Sequence, residues 1–441
     1  MLLIGPGTVI TRDPAHPFIE NGAVLTKDTK IEAVGDYEEL AKKYPDAQRV
    51  SSQGRLIMPG FINAHHHIYS AFSRGLSLSN YNPSGFLEIL EGMWWRIDNA
   101  LNLDDSRASA RAVYLSCLRN GVTTVIDHHA SYKETTGSLE AIAEESLRYG
   151  IRSCLCYEIS DRNGEEEAQR AIDENFRFAR FAKKDPEHLA GLIGLHASFT
   201  LSDRTLEKIA QENTEGFGYH AHVAEGTLDQ ERSLAEHGMR VVPRLMQYDI
   251  LNERSVAGHC IHLDEKEKDL LAETGVGVVH NPQSNMGNAV GAPDILGFMN
   301  RGITVGLGTD GFTSDMLESL KFANLLIKHR EQDATVGGNI SDLLYKGNPA
   351  LAARIFPQPL GILKEGAAAD VIVLDYDEIT PLNGDNINGH LLFGMNGLNV
   401  VTTVSDGVVR MKDREILGLD VEKEVAGIRA QAKDFARRVN A

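Results

Sequence analysis

From Leu56 to about Gln358, short β-rich runs alternate with longer helical patterns, and that alternation constrains the fold more than any other feature. The runs are RLIMPGFINAH, GVTTVIDHH, IRSCLCYEIS, LAGLIGLHAS, FGYHAHVAE, SVAGHCIH, GVGVVHNP and ITVGLGTD. Between them lie patterns such as LEAIAEESLRYG, EEEAQRAIDENFRFARFAKK, SDRTLEKIAQEN and DEKEKDLLAETG, the last opened by Asp264 as N-cap and closed by Gly275. Strands separated by helices run parallel, which leaves a closed (β/α)8 barrel or an open doubly wound sheet. Polar, chemistry-bearing residues end nearly every run, and only closure gathers all those ends at one mouth. No Gly-rich phosphate loop follows the first strand, which also counts against a dinucleotide fold. The barrel is therefore expected.

The ends of the chain read differently. Residues 1–55 form short strands and turns, as in LLIGPGTVIT and GAVLTKDTKIEAVG. After residue 358 the β-rich character returns in LGILKEGAAADVIVLDYD and LNVVTTVSDGVVRMKDREILG, where VSDGVV signals an Asp-Gly hairpin. The final stretch, LDVEKEVAGIRAQAKDFARRVNA, reads as a helix. The expectation is an α/β protein: a barrel over residues 56–358, with a small β-sandwich built from residues 1–55 and 359–441 together.

A chain of 441 residues exceeds what a single core comfortably fills, in line with that division. The net charge of −18 argues against nucleic-acid or anionic-membrane partners. The N-terminal run lacks a basic region and passes quickly into polar turns, and no apolar run approaches the ~20 residues needed to span a bilayer. A cytoplasmic protein is expected. Its four cysteines are too few and scattered for a disulfide framework, and Cys154-Leu-Cys156 reads as part of a buried strand rather than a metal site.

Five side chains suited to a metal ion close predicted strands. His65 and His67 are two apart, so on one strand both imidazoles share a face and His66 points away. His222 ends the fifth strand as a third nitrogen donor. Glu225, three residues on, stands where a general acid/base belongs, and His220 reads as a hydrogen-bonded core histidine. Asp310 ends the eighth strand between two glycines, placed to serve as ligand and as proton acceptor. Three imidazoles and a carboxylate leave positions open for water, as a catalytic site requires. One divalent ion is expected; zinc is the first choice, and Fe(II) and manganese suit the same donors. His259 ends the sixth strand and is placed to polarise the substrate; His196 ends the fourth and is placed to contact it. Both also fit a core role.

PGFINAHHH, HAHVAE, AGHCIHL, VVHNPQSNM and GLGTDG resemble the amidohydrolase superfamily, in its aminohydrolase/chlorohydrolase (cytosine/guanine deaminase-like) branch. GILKEGAAADVIVLD is similar to that branch's returning β-sandwich segment, so the resemblance spans essentially the whole chain. EGMWWRIDNAL, IDHHAS, ISDRNG, ENFRFAR and GDNINGHLLFGM resemble SsnA-type aminohydrolases, which implies a link to purine metabolism. The resemblance implies a mononuclear site with His65, His67, His222 and Asp310 as ligands and Glu225, His259 and Asp310 catalytic. Binuclear relatives carry a lysine at the end of strand four, where this chain has GLHAS. It departs modestly elsewhere, with His66 between the paired histidines and Gln283 in HNPQSNM. A homodimer or higher homo-oligomer is implied by the resemblance alone.

The activity expected is hydrolytic deamination of a small N-heterocycle, probed by a panel of amino-purines, pyrimidines and aminoimidazoles. Opening of a cyclic amide or ureido group, removal of chloride, and a non-enzymatic barrel scaffold are the alternatives. Candidate substrate contacts are His196, Arg74 in the first βα loop, Trp94 with Trp95 as a stacking face, and Asn281 with Ser284 and Asn285 after strand seven. Asp127, His128 and His129 end strand two, where either histidine is a weaker candidate.

Overall fold

The computed structural model describes residues 1–440. Eight parallel strands make the barrel: β1 (Phe61–His66), β2 (Val122–Asp127), β3 (Arg152–Leu155), β4 (Ile193–Ala197), β5 (Tyr219–Val223), β6 (Val256–His259), β7 (Gly277–His280) and β8 (Val305–Leu307). They lie in two parallel arcs, β1 to β3 with the short strand Leu189–Gly191 at its edge, and β4 to β8. Parallel bridges span both seams, Ile159 to Leu195 and His66 to Asp310. At the second seam Thr309 and Asp310 donate their amides to His65 O, each at 3.0 Å. Asn348, fully buried, splints the same seam: its Oδ1 accepts from Leu307 N (2.6 Å), and its Nδ2 donates to Ile62 O (2.7 Å) and Leu307 O (2.9 Å).

Helices fall where the apolar periodicity places them. Glu265–Thr274 has the expected Asp264 cap, with a reciprocal capping box to Glu267, and ends at Gly275 in the left-handed region. Glu165–Ala182 and Asp203–Glu212 likewise bury one face against the strands. Ile62, Ala64, Ile126, Cys154, Val256 and Val279 from the strands form one buried apolar cluster with Leu351 and Phe356. All four cysteines are free and buried.

The two chain ends share one nine-stranded sheet. Leu2–Ile10 pairs with Phe18–Lys27, Gln48–Val50 and Leu56–Pro59, and Leu56–Pro59 pairs antiparallel with Val371–Leu374 from the far end. The run RLIMPGFINAH, expected as one strand, is divided at Gly60: Leu56–Pro59 serves the terminal sheet and Phe61–His66 the barrel. LAGLIGLHAS is divided too, between Leu189–Gly191 and β4. The Asp406-Gly407 hairpin forms as expected, with both φ values positive (54° and 71°). The C-terminal helix Val421–Arg438 packs on Leu103–Arg119, burying Phe435 and pairing Arg438 with Asp105. Among the described residues no helix is long and apolar enough to cross a membrane.

Candidate active site

The C-terminal ends of β1, β5, β6 and β8 converge. Three of them turn on non-glycine residues in the left-handed region: Ala224 (φ 48°) before Glu225, His259 (φ 66°) with Cys260 (φ 52°), and Asp310 (φ 53°). Such backbone costs about 1–3 kcal/mol per residue and gathers at functional sites. Here it aims each side chain inward as the strand stops. Asp229 anchors one of these turns, accepting from Ala224 N and Phe199 N at 2.9 Å each. Gly308 is required by close approach, since a Cβ there would lie 2.3 Å from Asn281 Oδ1 and 2.8 Å from His65 Cβ.

Ligand atoms of His65, His67 and His222 lie within 4.8 Å of one another, as do those of His65, His259 and Asp310. His67 Nε2 is 3.1 Å from His222 Nε2 and 3.2 Å from Asp310 Oδ1. The outer nitrogens are committed elsewhere. His67 Nδ1 donates to His128 O at 2.6 Å and His222 Nδ1 to His196 O at 2.9 Å, which leaves each Nε2 lone pair facing the cluster. His65 Nδ1 donates to His220 Nε2 at 2.7 Å, and its own Nε2 is buried without a partner. Carbonyl or imidazole acceptors behind inward-facing imidazoles are the usual support of a metal site. Burial first, then the neighbouring rings, push the His65 and His222 imidazoles well below the ordinary histidine range, so both are neutral and able to ligate. The residues present therefore fit one divalent ion.

Around this cluster stand two carboxylates. His259 Nε2, otherwise unpartnered, lies 3.5 Å from Asp310 Oδ2 and 3.7 Å from Glu225 Oε2, and its Nδ1 is fixed by Asn285 Oδ1 at 2.8 Å. Burial pushes the Glu225 carboxyl up; Asp310 adds to this, while His259 and Asn288 oppose it. Burial acts on Asp310 in the same sense, but His67, His259, Ser284 and the Gly311 amide outweigh it and hold that carboxyl below its usual range. Two acids within reach of one imidazole are thus driven apart.

A cleft open to solvent lies over these groups. Its wall includes His67, His222, Glu225 and Asp310, together with His196, Trp94, Trp95 and Ser284. Arg74 is exposed and Asn281 is buried behind β8, so neither reaches the lining; Asn285 acts through His259. His128 supports His67 through its carbonyl, its ring bonding Leu195 O, and His129 faces Ser106 and Ser131. Asp127 accepts from Ile68 N at 2.6 Å and so pins the loop after His67.

Asp98 and Glu158 also line the cavity, and sequence reasoning missed both. Arg162 bridges Asp98 and Glu158, and its guanidinium lies 5.2 Å from the Trp95 ring and 4.7 Å from that of Tyr132. Asp98 Oδ1 is buried without a partner, and burial, eased by Arg162, raises that carboxyl to about 7. Glu158 follows β3 much as Glu225 follows β5, so the strand-end rule that found Glu225 also points to it. Asp98 carried a weaker signal, a lone acid in the apolar stretch MWWRID. Phe86, Leu90, Asn288 and Phe312 also line the cavity, without any such signal.

An eight-stranded parallel barrel with three imidazoles and a carboxylate at its C-terminal mouth is the arrangement of barrel hydrolases, with donors suited to one divalent ion. The model described as Amidohydrolase family matches residues 56–410, and the chain belongs to that family. It is a hydrolase acting on carbon–nitrogen bonds other than peptide bonds. A bacterial imidazolonepropionase-like composite domain matches residues 22–47. The chain is 30% identical to a 5-methylthioadenosine/S-adenosylhomocysteine deaminase of Thermococcus onnurineus, over 90% of this chain and 92% of that one. It is 28% identical to a 5'-deoxyadenosine deaminase of Methanosarcina barkeri, over 100% and 99%. Among solved structures, a zinc-bound adenosine deaminase from Xanthomonas campestris superposes with a TM-score of 0.87 at 23% identity, covering 99% of this chain and 98% of that one. Zinc-complexed atrazine chlorohydrolase from Arthrobacter aurescens gives 0.80 at 25%, covering 98% and 100%.

Proposed function

We propose that the protein is a mononuclear metal-dependent aminohydrolase that deaminates a small, purine-related N-heterocycle. The observation that carries this reading is the placement of Glu225 and Asp310 within 3.7 and 3.5 Å of His259 Nε2, beside three inward-facing imidazoles. His65, His67, His222 and Asp310 would hold the ion, whose chemistry there is to acidify a water molecule. Zinc is the ion proposed, in keeping with the zinc-bound deaminase and chlorohydrolase structures that resemble this chain. Cytoplasmic residence and a homo-oligomeric state belong to the same proposal.

Asp310, held as carboxylate, takes one proton from the attacking water while the water oxygen bonds to the amino-bearing ring carbon. Glu225, pushed up by burial, gives its proton to the adjacent ring nitrogen. His259 Nε2 hydrogen-bonds the new oxygen substituent. The proton on Asp310 then passes to the amine, ammonia leaves, and the hydroxyl proton returns to Glu225 as the carbonyl forms. Trp94, Trp95 and His196 contact the substrate, and Asp98 and Glu158, braced by Arg162, receive its polar remainder. Adenosine-type deaminases among the relatives favour a purine base in this role. Arg74 and Asn281 fall outside the cavity lining and are assigned no contact.

The test is ammonia release by metal-replete protein across amino-purines, their nucleosides, amino-pyrimidines and aminoimidazoles, with Asp310→Asn as control. Ammonia without ring opening from one compound, lost in the variant, supports deamination. Chloride release from a halogenated ring, as the likeness to atrazine chlorohydrolase allows, or opening of a cyclic amide would replace it.

A further inference from the structure

The cavity mouth carries large aromatic side chains that the proton transfers above do not use. Phe312, two residues past Asp310, lines the same cavity yet is 46% exposed. A lone exposed ring is ordinary, but one that lines a ligand-sized cleft is placed to touch what binds there. Its position is built into the fold. Asp310 reverses the chain at φ 53°, Phe312 N donates to Thr309 O at 3.2 Å, and Ser70 Oγ donates to Gly311 O at 3.1 Å. The ring itself rests on Gly287, where a Cβ would stand 2.2 Å from Phe312 Cζ. Any other residue at 287 would displace it. Trp94 flanks the same loop from another element, its Cη2 3.4 Å from the Cβ position of Gly311. Phe86 repeats the arrangement, its Cδ1 2.8 Å from the Cβ position of Gly226.

We infer that Phe312 is a specificity-determining residue whose ring covers the flat face of the bound heterocycle, and that Gly287 is the seat that permits it. An aromatic face favours planar, unsaturated rings over puckered, saturated ones, because only a flat ring meets it at stacking distance. The substrate class is thereby narrowed to planar aromatic heterocycles. This rests on the deaminase reading for the ligand's chemistry, but not for the position of the cover.

Both tryptophans of the chain, Trp94 and Trp95, line this cavity, and Trp94 lies beside the loop that carries Phe312, so indole fluorescence senses its opening. In the metal-replete full-length protein without ligand, acrylamide should quench Phe312→Ala more strongly than wild type. For the heterocycle that is turned over, KM should rise about tenfold in Phe312→Ala, the worth of one stacked ring, with kcat little changed. Phe312→Tyr should restore the wild-type KM, and Gly287→Ala should reproduce the loss by displacing the ring. Wild-type quenching together with wild-type KM in both Phe312→Ala and Gly287→Ala would overturn the inference. A wild-type enzyme inert to every amino-heterocycle would refute the deaminase reading instead, and the acrylamide comparison would still decide whether Phe312 covers the cavity.

Discussion

His220 Nε2 accepts the Nδ1 proton of His65 at 2.7 Å, and this single contact sets which nitrogen of His65 faces the cavity. The contact is backed in turn: His220 Nδ1 lies 3.7 Å from Cys156 Sγ, whose thiol donates to Asp127 O at 3.3 Å. A histidine without chemistry of its own thus orients one with chemistry.

Replacing His220 by Phe should therefore weaken metal binding about 10–100-fold, whereas His220→Gln, which keeps an acceptor, should lose less. Metal content after dialysis against a metal-buffered solution measures this, and excess metal should recover much of the activity. Full wild-type occupancy in His220→Phe would break the argument. Chelation of the wild type should abolish turnover, and restored metal should return it.

Asp310→Asn and Glu225→Gln should each lower kcat by roughly 10²–10⁴-fold, the usual worth of one general acid or base. Asp310→Asn should also lose metal, because Asp310 is a proposed ligand, while Glu225→Gln should keep it. Metal analysis beside steady-state kinetics separates the two roles, and near-normal turnover in Glu225→Gln would remove it from the chemistry.

Asn348→Ala should destabilise the fold by about 2–4 kcal/mol, since it removes three buried hydrogen bonds and strands the Leu307 amide. Denaturant melts read this directly. Stability equal to wild type would mean that the β8–β1 seam is held by the backbone bridges alone.

A pH-dependent latch joins the barrel to the terminal sheet. His188 Nε2 pairs with Asp406 Oδ2 at 2.7 Å, and its Nδ1 with Asp185 Oδ1 at 2.7 Å. Asp406 chiefly, against some burial, raises His188 from 6.5 to about 9. A raised histidine contributes stability that is full below the unfolded value of about 6.5 and is lost as pH rises through about 9. His188→Gln should then lower Tm by roughly 2 °C near pH 6 and hardly at all near pH 10, the pair being partly exposed. A deficit of equal size at both pH values would show that the histidine acts by packing.

The strand ends were legible because a parallel barrel forces function to its C-terminal mouth, so an ionisable residue closing a β-rich run carries meaning wherever it falls. His65, His67, His222, Glu225, His259 and Asp310 were all readable on that ground, and the structure brings all six together. Periodicity failed where two sheets share one run of chain. Leu56–Pro59 and Phe61–His66 are both apolar and extended, and nothing in their residues announces that Gly60 changes the partner. Asp98, Arg162 and Phe312 lie on segments whose neighbours are set by distant loops, so their convergence is a tertiary fact. Arg74 lies outside the cavity lining for the same reason, since closeness in sequence to His67 says nothing about which way the loop turns.

The pairing of Leu56–Pro59 with Val371–Leu374 joins segments more than three hundred residues apart. During synthesis the N-terminal strands emerge first and must wait, one edge unpaired, while the whole barrel is made. At about 5–20 residues per second that wait lasts roughly 15–60 s. An open edge held so long is an invitation to pair with another chain. The terminal sheet is thus the last part of the molecule to close, and the interval before it does is the period in which a nascent chain is most exposed to aggregation.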